Sequence, residues 1–303
     1  MKKVMLTRII TGAFILLFTV AFVLLKQVSP LFFDAFVLII SVGAIYEINK
    51  AYKNVGKKVN WILLIFATLS MCLINIFVED VSRVFIYDIL LAMILFVALM
   101  LIDIIVFAVN RKNGTTEPDA SVLNSTLFDQ TKFTMMSFAY PVLLISSLYM
   151  LNHLPYDIGY MGIIVSFAVS MLTDTCALFV GVACGKRKFV PEVSPKKSVA
   201  GVVGGLIGGV IGAGLCFVIF YFTNWFALES ISLLKSILAF AIVGVIGSFI
   251  NQLGDLVSSA LKRKVGLKDF AHIFPEHGGF MDRVDGLMFV STFVYVVFSL
   301  LLV

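Results

Sequence analysis

The chain is 303 residues long, 60% hydrophobic and only 14% charged, with a mean hydropathy of +1.05. Soluble domains carry roughly 25% charged residues, so this composition excludes an ordinary soluble domain and points to a polytopic integral membrane protein. A net charge of +5 gives no reason to expect a nucleic-acid partner. Cys72, Cys176, Cys184 and Cys216 all sit in or beside apolar runs with no C-x-x-C spacing, which predicts inert buried thiols and neither a disulfide scaffold nor a zinc site.

A helix needs about 20 apolar residues to cross the hydrocarbon core. Stretches 7–25, 31–52, 61–78, 84–109, 133–151, 158–182, 201–223, 235–261 and 287–303 come close. Irregular backbone and open strands are not tolerated against lipid, so the expectation is an all-α chain of about nine transmembrane helices. The first stretch follows Lys2 and Lys3 and resembles a signal peptide. Its apolar run is long and no small-x-small cleavage site follows, so it reads as an uncleaved span. Residues 1–83 then hold the N-terminal helices, 84–157 the middle helices with a polar connection, and 158–303 the C-terminal helices with the candidate site. If the N-terminus is placed inside and the spans alternate, all of the 23 basic residues except Lys26, Arg83 and Lys235 fall on the inner side. That is the positive-inside pattern, and it predicts an N-in, C-out topology. Asn110–Lys132, rich in Gly, Pro, Ser, Thr and Asn, reads as a cytoplasmic loop. Glu47 and Asp103 lie near inner helix ends and read as interfacial structural charges, while Asp34 and Asp88 lie near outer ends. The sequence has no internal repeat of the kind that marks many transporters.

Polar residues concentrate in the C-terminal half. Ser166, Ser170 and Asp174 recur at spacing four in the sixth stretch, followed by Gly181, Gly185 and the cationic segment GKRKFVPEVSPKKS. Such a segment can hold anionic lipid headgroups at about 1 kcal/mol per charge. In the seventh stretch Gly204, Gly208 and Gly212 form one small-residue row and Gly201, Gly205 and Gly209 another, which lets helices approach closely. In the eighth, Gly247, Asn251, Asp255, Ser259 and Arg263 share one face, flanked by Ser248, Gln252, Ser258 and Lys262. A charge in a span costs about 2.5–3.5 kcal/mol, so this stripe reads as the wall of a functional cavity. The alternative is a polar seam bonded to neighbouring helices.

The segment PEHGGFMDRVDGLMF (275–289) abuts the last stretch. Asp282 and Asp285, three apart, share a helix face, and Arg283 lies between them. Gly278 and Gly279 permit a close backbone approach, and Lys262, Arg263, Lys264 and Lys268 precede them. Carboxylates are the preferred protein ligands of Mg²⁺, and Lys and Arg neutralise phosphate. Together these residues form the equipment for phosphoryl or nucleotidyl transfer. No G-x-x-x-x-G-K-[ST] occurs. His272 and His277 lack metal-site spacing and read as hydrogen-bonding groups.

The run SALKRKVGLKDFAHIFPEHGGFMDRVD, Ser259 to Asp285, resembles the signature of phosphatidate cytidylyltransferases, also called CDP-diacylglycerol synthases. The resemblance is carried by Ser259, Lys262, Arg263, Lys268, Asp269, His277, Gly278, Gly279, Asp282, Arg283 and Asp285. The Gly254–Asp255 pair and TDTCALFVGVACGKRK followed by SPKKS are also similar to that family. Departures are Cys176, where the family tends to have Gly, and Ala200, where it often has Glu. The resemblance implies that CTP and phosphatidic acid give CDP-diacylglycerol and pyrophosphate. It also implies a metal centre on Asp255 and Asp282 with Mg²⁺, and K⁺ beside it, in a homodimer whose site faces the cytoplasm from the cell membrane. Asp255, Asp282, Lys262, Arg263, Lys268, Arg283, Asp285 and Asp174 are then the candidate catalytic residues. Ser194, Lys196, Lys197, Ser259, Asp269, His277, Gly278, Gly279 and Asn251 are the candidate substrate-binding residues. Competing readings are a CTP-dependent polyprenol kinase, a cytidylyltransferase for another lipid phosphate, and a small ion-coupled transporter.

Overall fold

The computed structural model describes residues 2–78, 81–112, 128–155, 157–223, 232–275 and 278–302. Its main elements are helices α1 (Lys2–Leu25), α2 (Pro30–Asn54), α3 (Trp61–Phe77), α4 (Val81–Lys112), α5 (Asp129–Asn152), α6 (Ile158–Cys184), α7 (Val199–Thr223), α8 (Leu233–Lys264) and α9 (Leu287–Leu301). Local chemistry sets several of these ends. Ser29 accepts the Leu31 N–H and Pro30 occupies the first position of α2, the preferred start of a helix. Asn60 accepts the Leu63 N–H at the start of α3. Asp103 of α4 accepts both the backbone N–H (3.1 Å) and the hydroxyl (2.8 Å) of Thr131, pinning the first turn of α5.

Among the described residues, α2, α5, α6, α7, α8 and residues 86–106 of α4 are six helices long and apolar enough to cross a membrane. Residues 10–25, α3 and α9 are shorter apolar helices. The chain is a membrane protein built almost entirely of helix.

Several features differ from the sequence reading. The cationic segment after α6 is not an irregular loop: Lys188–Val190 (β1) pairs antiparallel with Ser194–Ser198 (β2). The Val199 N–H donates to the Arg187 carbonyl at 3.0 Å and closes the hairpin base. Residues 113–127 of the expected 110–132 loop lie outside the described residues, and Asp129–Lys132 already belong to α5. Of the cysteines expected to be buried, Cys184 is exposed at the last position of α6 and Cys176 is half-buried. Asp34, read only as lying near an outer helix end, is buried and held by the Asn152 amide at 2.7 Å and the His153 ring at 2.9 Å. Lys26 completes this network through the Asn152 carbonyl.

The glycines of α7 set the depth of the bundle. A Cβ on Gly204 would run into Val180 of α6, and one on Gly208 into the Leu172 carbonyl. On the adjoining row, a Cβ on Gly205 would meet the Gln252 amide of α8, and one on Gly209 would meet Ser248. The first row therefore packs on α6, while Gly205 and Gly209 of the second lie between α8 and Ala177 and Thr173 of α6, which brings the polar faces of those two helices together. Because the group facing Gly208 is backbone, it cannot swing aside. Gly208→Val is therefore expected to destabilise the fold by about 1–3 kcal/mol, lowering the thermal unfolding midpoint of the purified protein in detergent. An unchanged midpoint would show that α6 and α7 do not depend on this contact.

Candidate active site

The site forms where α6, the hairpin, α8 and the segment before α9 meet. Asp255 on α8 and Asp174 on α6 line a cavity of about 470 Å³ with Gln252, Lys188, Lys196 and Lys197. The remaining wall is largely apolar, including Leu178 and Val182 of α6. Lys197 donates to Asp255 Oδ2 at 3.0 Å and to the Gln252 carbonyl at 3.3 Å, so the hairpin is tied to α8 across the cavity. Asn251, fully buried one turn before Asp255, donates its amide to Asp174 Oδ1 at 2.7 Å. Its own Oδ1 has no partner among the described residues. The predicted polar face of α8 is thus a cavity wall at Asp255 and Gln252 and an interhelical seam at Asn251.

The segment after α8 makes a second pair. Lys262 donates to Asp282 Oδ1 at 2.6 Å, while Asp282 Oδ2 accepts the N–H groups of Phe270 (3.1 Å) and Gly279 (3.0 Å). Gly278 sits at φ +79° and its carbonyl accepts the Phe274 N–H. This backbone favours glycine, and a Cβ there would strike Asp282. Asp282 heads a single helical turn, Met281–Val284, that leads into α9. Asp285 follows, in the electrostatic field of both Asp255 and Asp282.

Not every predicted residue converges here. Arg263 is exposed and donates to the Leu267 carbonyl at 2.9 Å. Lys268 and Arg283 are also exposed, and Asp269 and Ser259 are partly buried. Ser194 lies opposite Val190 in the hairpin. His277 lies outside the described residues. Two residues of the site escaped the sequence reading. Glu47 of α2, read as an interfacial charge, is fully buried and accepts the N–H groups of Phe280 and Met281. Tyr140 of α5 places its buried hydroxyl in the field of Asp285, Asp255 and Asp282. A lone carboxylate in LIISVGAIYEINK was a signal for Glu47, since buried charges require partners. Nothing local marks Tyr140.

Burial, and next the neighbouring Asp255, pushes the Asp285 carboxyl up to about 7. A carboxyl raised above its unfolded value holds its proton longer in the folded state. Its contribution to stability is complete below the unfolded value near 4 and is lost as pH rises through about 7. Without added divalent ions, the thermal midpoint is expected to fall between pH 5 and pH 8, and Asp285→Asn should flatten that dependence. An equally steep profile in the variant would assign the titration elsewhere.

Carboxylates and lysines around a cavity at one end of a helical bundle define a membrane protein equipped to receive anionic, phosphate-bearing ligands. The profile of the cytidylyltransferase family matches residues 6–301, and the chain belongs to that family. It is 34% identical over 180 residues to the phosphatidate cytidylyltransferase of Bacillus subtilis (strain 168), covering 59% of this chain and 62% of that protein. It is 35% identical over 174 residues to the phosphatidate cytidylyltransferase of Staphylococcus aureus (strain COL), covering 56% and 62%. With the protein of that name from Staphylococcus haemolyticus (strain JCSC1435) the identity is 32% over the same coverage. The chain thus spans about 62% of the length of these relatives.

Proposed function

We propose that the chain is a phosphatidate cytidylyltransferase acting at the cytoplasmic face of the cell membrane, converting CTP and phosphatidic acid to CDP-diacylglycerol and pyrophosphate. The observation that carries this reading is the Lys197–Asp255 pair in a cavity that Lys188 and Lys196 also line and whose remaining wall is largely apolar helix surface. That cavity offers a phosphate a cationic floor and a lipid chain an apolar flank.

In the reaction, an oxygen of the lipid phosphate forms a bond to the α-phosphorus of CTP, and the bond from that phosphorus to the β-phosphate bridge breaks. Phosphate monoesters are already ionised near neutral pH, so no strong general base is needed. The barrier is chiefly repulsion between anions and charge on the leaving group, and preorganised cations lower both. Lys188, Lys196 and Lys197 line the cavity for this task. Lys262 is fixed by Asp282, and exposed Arg263, Lys268 and Arg283 draw the triphosphate from solution. Asn251 and Asp285 orient polar groups at the base.

The residues present fit a divalent ion. Asp255 Oδ1 has no partner among the described residues, and Asp282 Oδ1 accepts one donor although an ionised carboxylate oxygen can accept two. Asp255 and Asp282 would hold Mg²⁺, with K⁺ as a companion. Among the described residues no group of three or more His, Cys, Asp or Glu is placed to hold a metal ion, so an ion on these two carboxylates would take its remaining ligands from phosphate oxygens and water. When bound, such an ion supplies Lewis-acid neutralisation of the phosphates.

The test is to supply purified protein with radiolabelled CTP, Mg²⁺ and phosphatidic acid and analyse the products. Labelled CDP-diacylglycerol with stoichiometric pyrophosphate is expected. Release of CDP with a phosphorylated lipid would replace the reading with a lipid kinase. Ion flux in proteoliposomes indifferent to CTP would replace it with a transporter.

A further inference from the structure

We propose that Glu47 of α2 is the positioning residue that fixes the Asp282 turn against the bundle, a role that rests on the cytidylyltransferase reading of the site. Its Oε1 accepts the Phe280 N–H at 2.8 Å and its Oε2 accepts the Met281 N–H at 2.9 Å. The residue is completely buried. The next amide towards the N-terminus, that of Gly279, is taken by Asp282 itself at 3.0 Å. Three consecutive amides entering the turn are therefore held by two carboxylates, one from within the turn and one from α2.

The seat on α2 is shaped as well as charged. A Cβ on Gly279 would collide with the Glu47 carboxylate. One turn earlier on α2, Gly43 leaves the space filled by the Phe280 ring, and a Cβ there would strike that ring. The Phe280 ring in turn packs edge-on against Phe274 at 5.0 Å. The glycine–glycine–aromatic run of the segment is matched by a glycine and a carboxylate four apart on a distant helix. The clamp acts on catalysis by setting where Asp282 and its partner Lys262 lie relative to Asp255. Displacements of about 1 Å at such a site cost on the order of 100-fold in rate.

Glu47→Gln preserves volume but turns one acceptor into a donor facing an amide. Glu47→Asp keeps both acceptors on a shorter stem. Gly279→Ala attacks the same contact from the other side. Each is measured by CDP-diacylglycerol formation and by hydrogen–deuterium exchange. Glu47→Gln is expected to lower kcat on the order of 10- to 100-fold while the KM for CTP stays within about threefold. The Phe280 and Met281 amides should exchange at least about tenfold faster, with α5 and α8 unchanged. Gly279→Ala should reproduce both effects, and Glu47→Asp should recover part of kcat. Wild-type kcat in Glu47→Gln, unchanged exchange at the two amides, or accelerated exchange throughout the bundle would each overturn the proposal. Should the wild-type protein form no CDP-diacylglycerol, the functional reading fails separately, and with it the role in rate. Exchange would still report whether Glu47 holds the turn.

Discussion

Asp255→Asn is expected to reduce CDP-diacylglycerol formation by at least about 10³-fold, equivalent to about 4 kcal/mol of transition-state stabilisation, while leaving the thermal midpoint nearly unchanged. The substitution keeps the shape of the side chain and removes its charge. The pair it breaks is not deeply buried: the Lys197 and Asp255 side chains are 25% and 21% exposed. Water reaches the lysine that is left behind, so the loss of folding energy is near the range of about 0–1 kcal/mol seen for solvated pairs. The loss of function is larger because Asp255 faces the cavity beside Asp174 with an unused oxygen, where an ion and a triphosphate would meet. Product analysis and thermal unfolding on the same preparation decide the matter. Activity within tenfold of wild type would remove Asp255 from the reacting centre.

The part of this site legible in the sequence is the part built on helical periodicity. Asn251, Asp255 and Ser259 recur every four residues in a span where charge is costly, and that cost makes the stripe conspicuous. The two glycine rows of α7 are legible for the same reason, although only the folded chain shows that one row packs on α6 and that the other lies between α6 and α8. Ser259 to Asp285 is conspicuous only through its resemblance to the family signature. What was not legible depends on partners far away in the chain. Glu47 looks like a charge at a helix end because its Lys50 neighbour is visible and Phe280 and Met281 are not. The hairpin at Lys188–Ser198 was hidden because two prolines in a cationic run suggest a loop. Its pairing is set by the short distance between the ends of α6 and α7. Tyr140 reaches the site through a break in α5 at a residue with non-helical backbone angles, next to Pro141, a feature that hydropathy does not register.

Asp282→Asn is expected to differ from Asp255→Asn in one respect: activity is lost together with stability. The Lys262 and Asp282 side chains are only 11% and 5% exposed, so the substitution strands a cation away from water. Breaking a buried pair by removing one partner costs about 3–5 kcal/mol. Asparagine cannot repair the geometry. Asp282 faces a lysine with one oxygen and two backbone N–H groups with the other. An amide must therefore turn its own N–H towards a donor in either orientation. The segment carrying Gly278 and Gly279 then loses its anchor. The double variant Lys262→Met/Asp282→Asn separates the two roles. With the cation gone, the asparagine NH₂ can face methionine and its oxygen can still serve Phe270 and Gly279. The midpoint should recover by several degrees, since no uncompensated buried charge is left behind. Catalysis should not recover, because both the cation and the carboxylate are missing. If Asp282→Asn alone proves as stable as the wild-type protein, the pair does not hold the loop, and the carboxylate serves the ligands only.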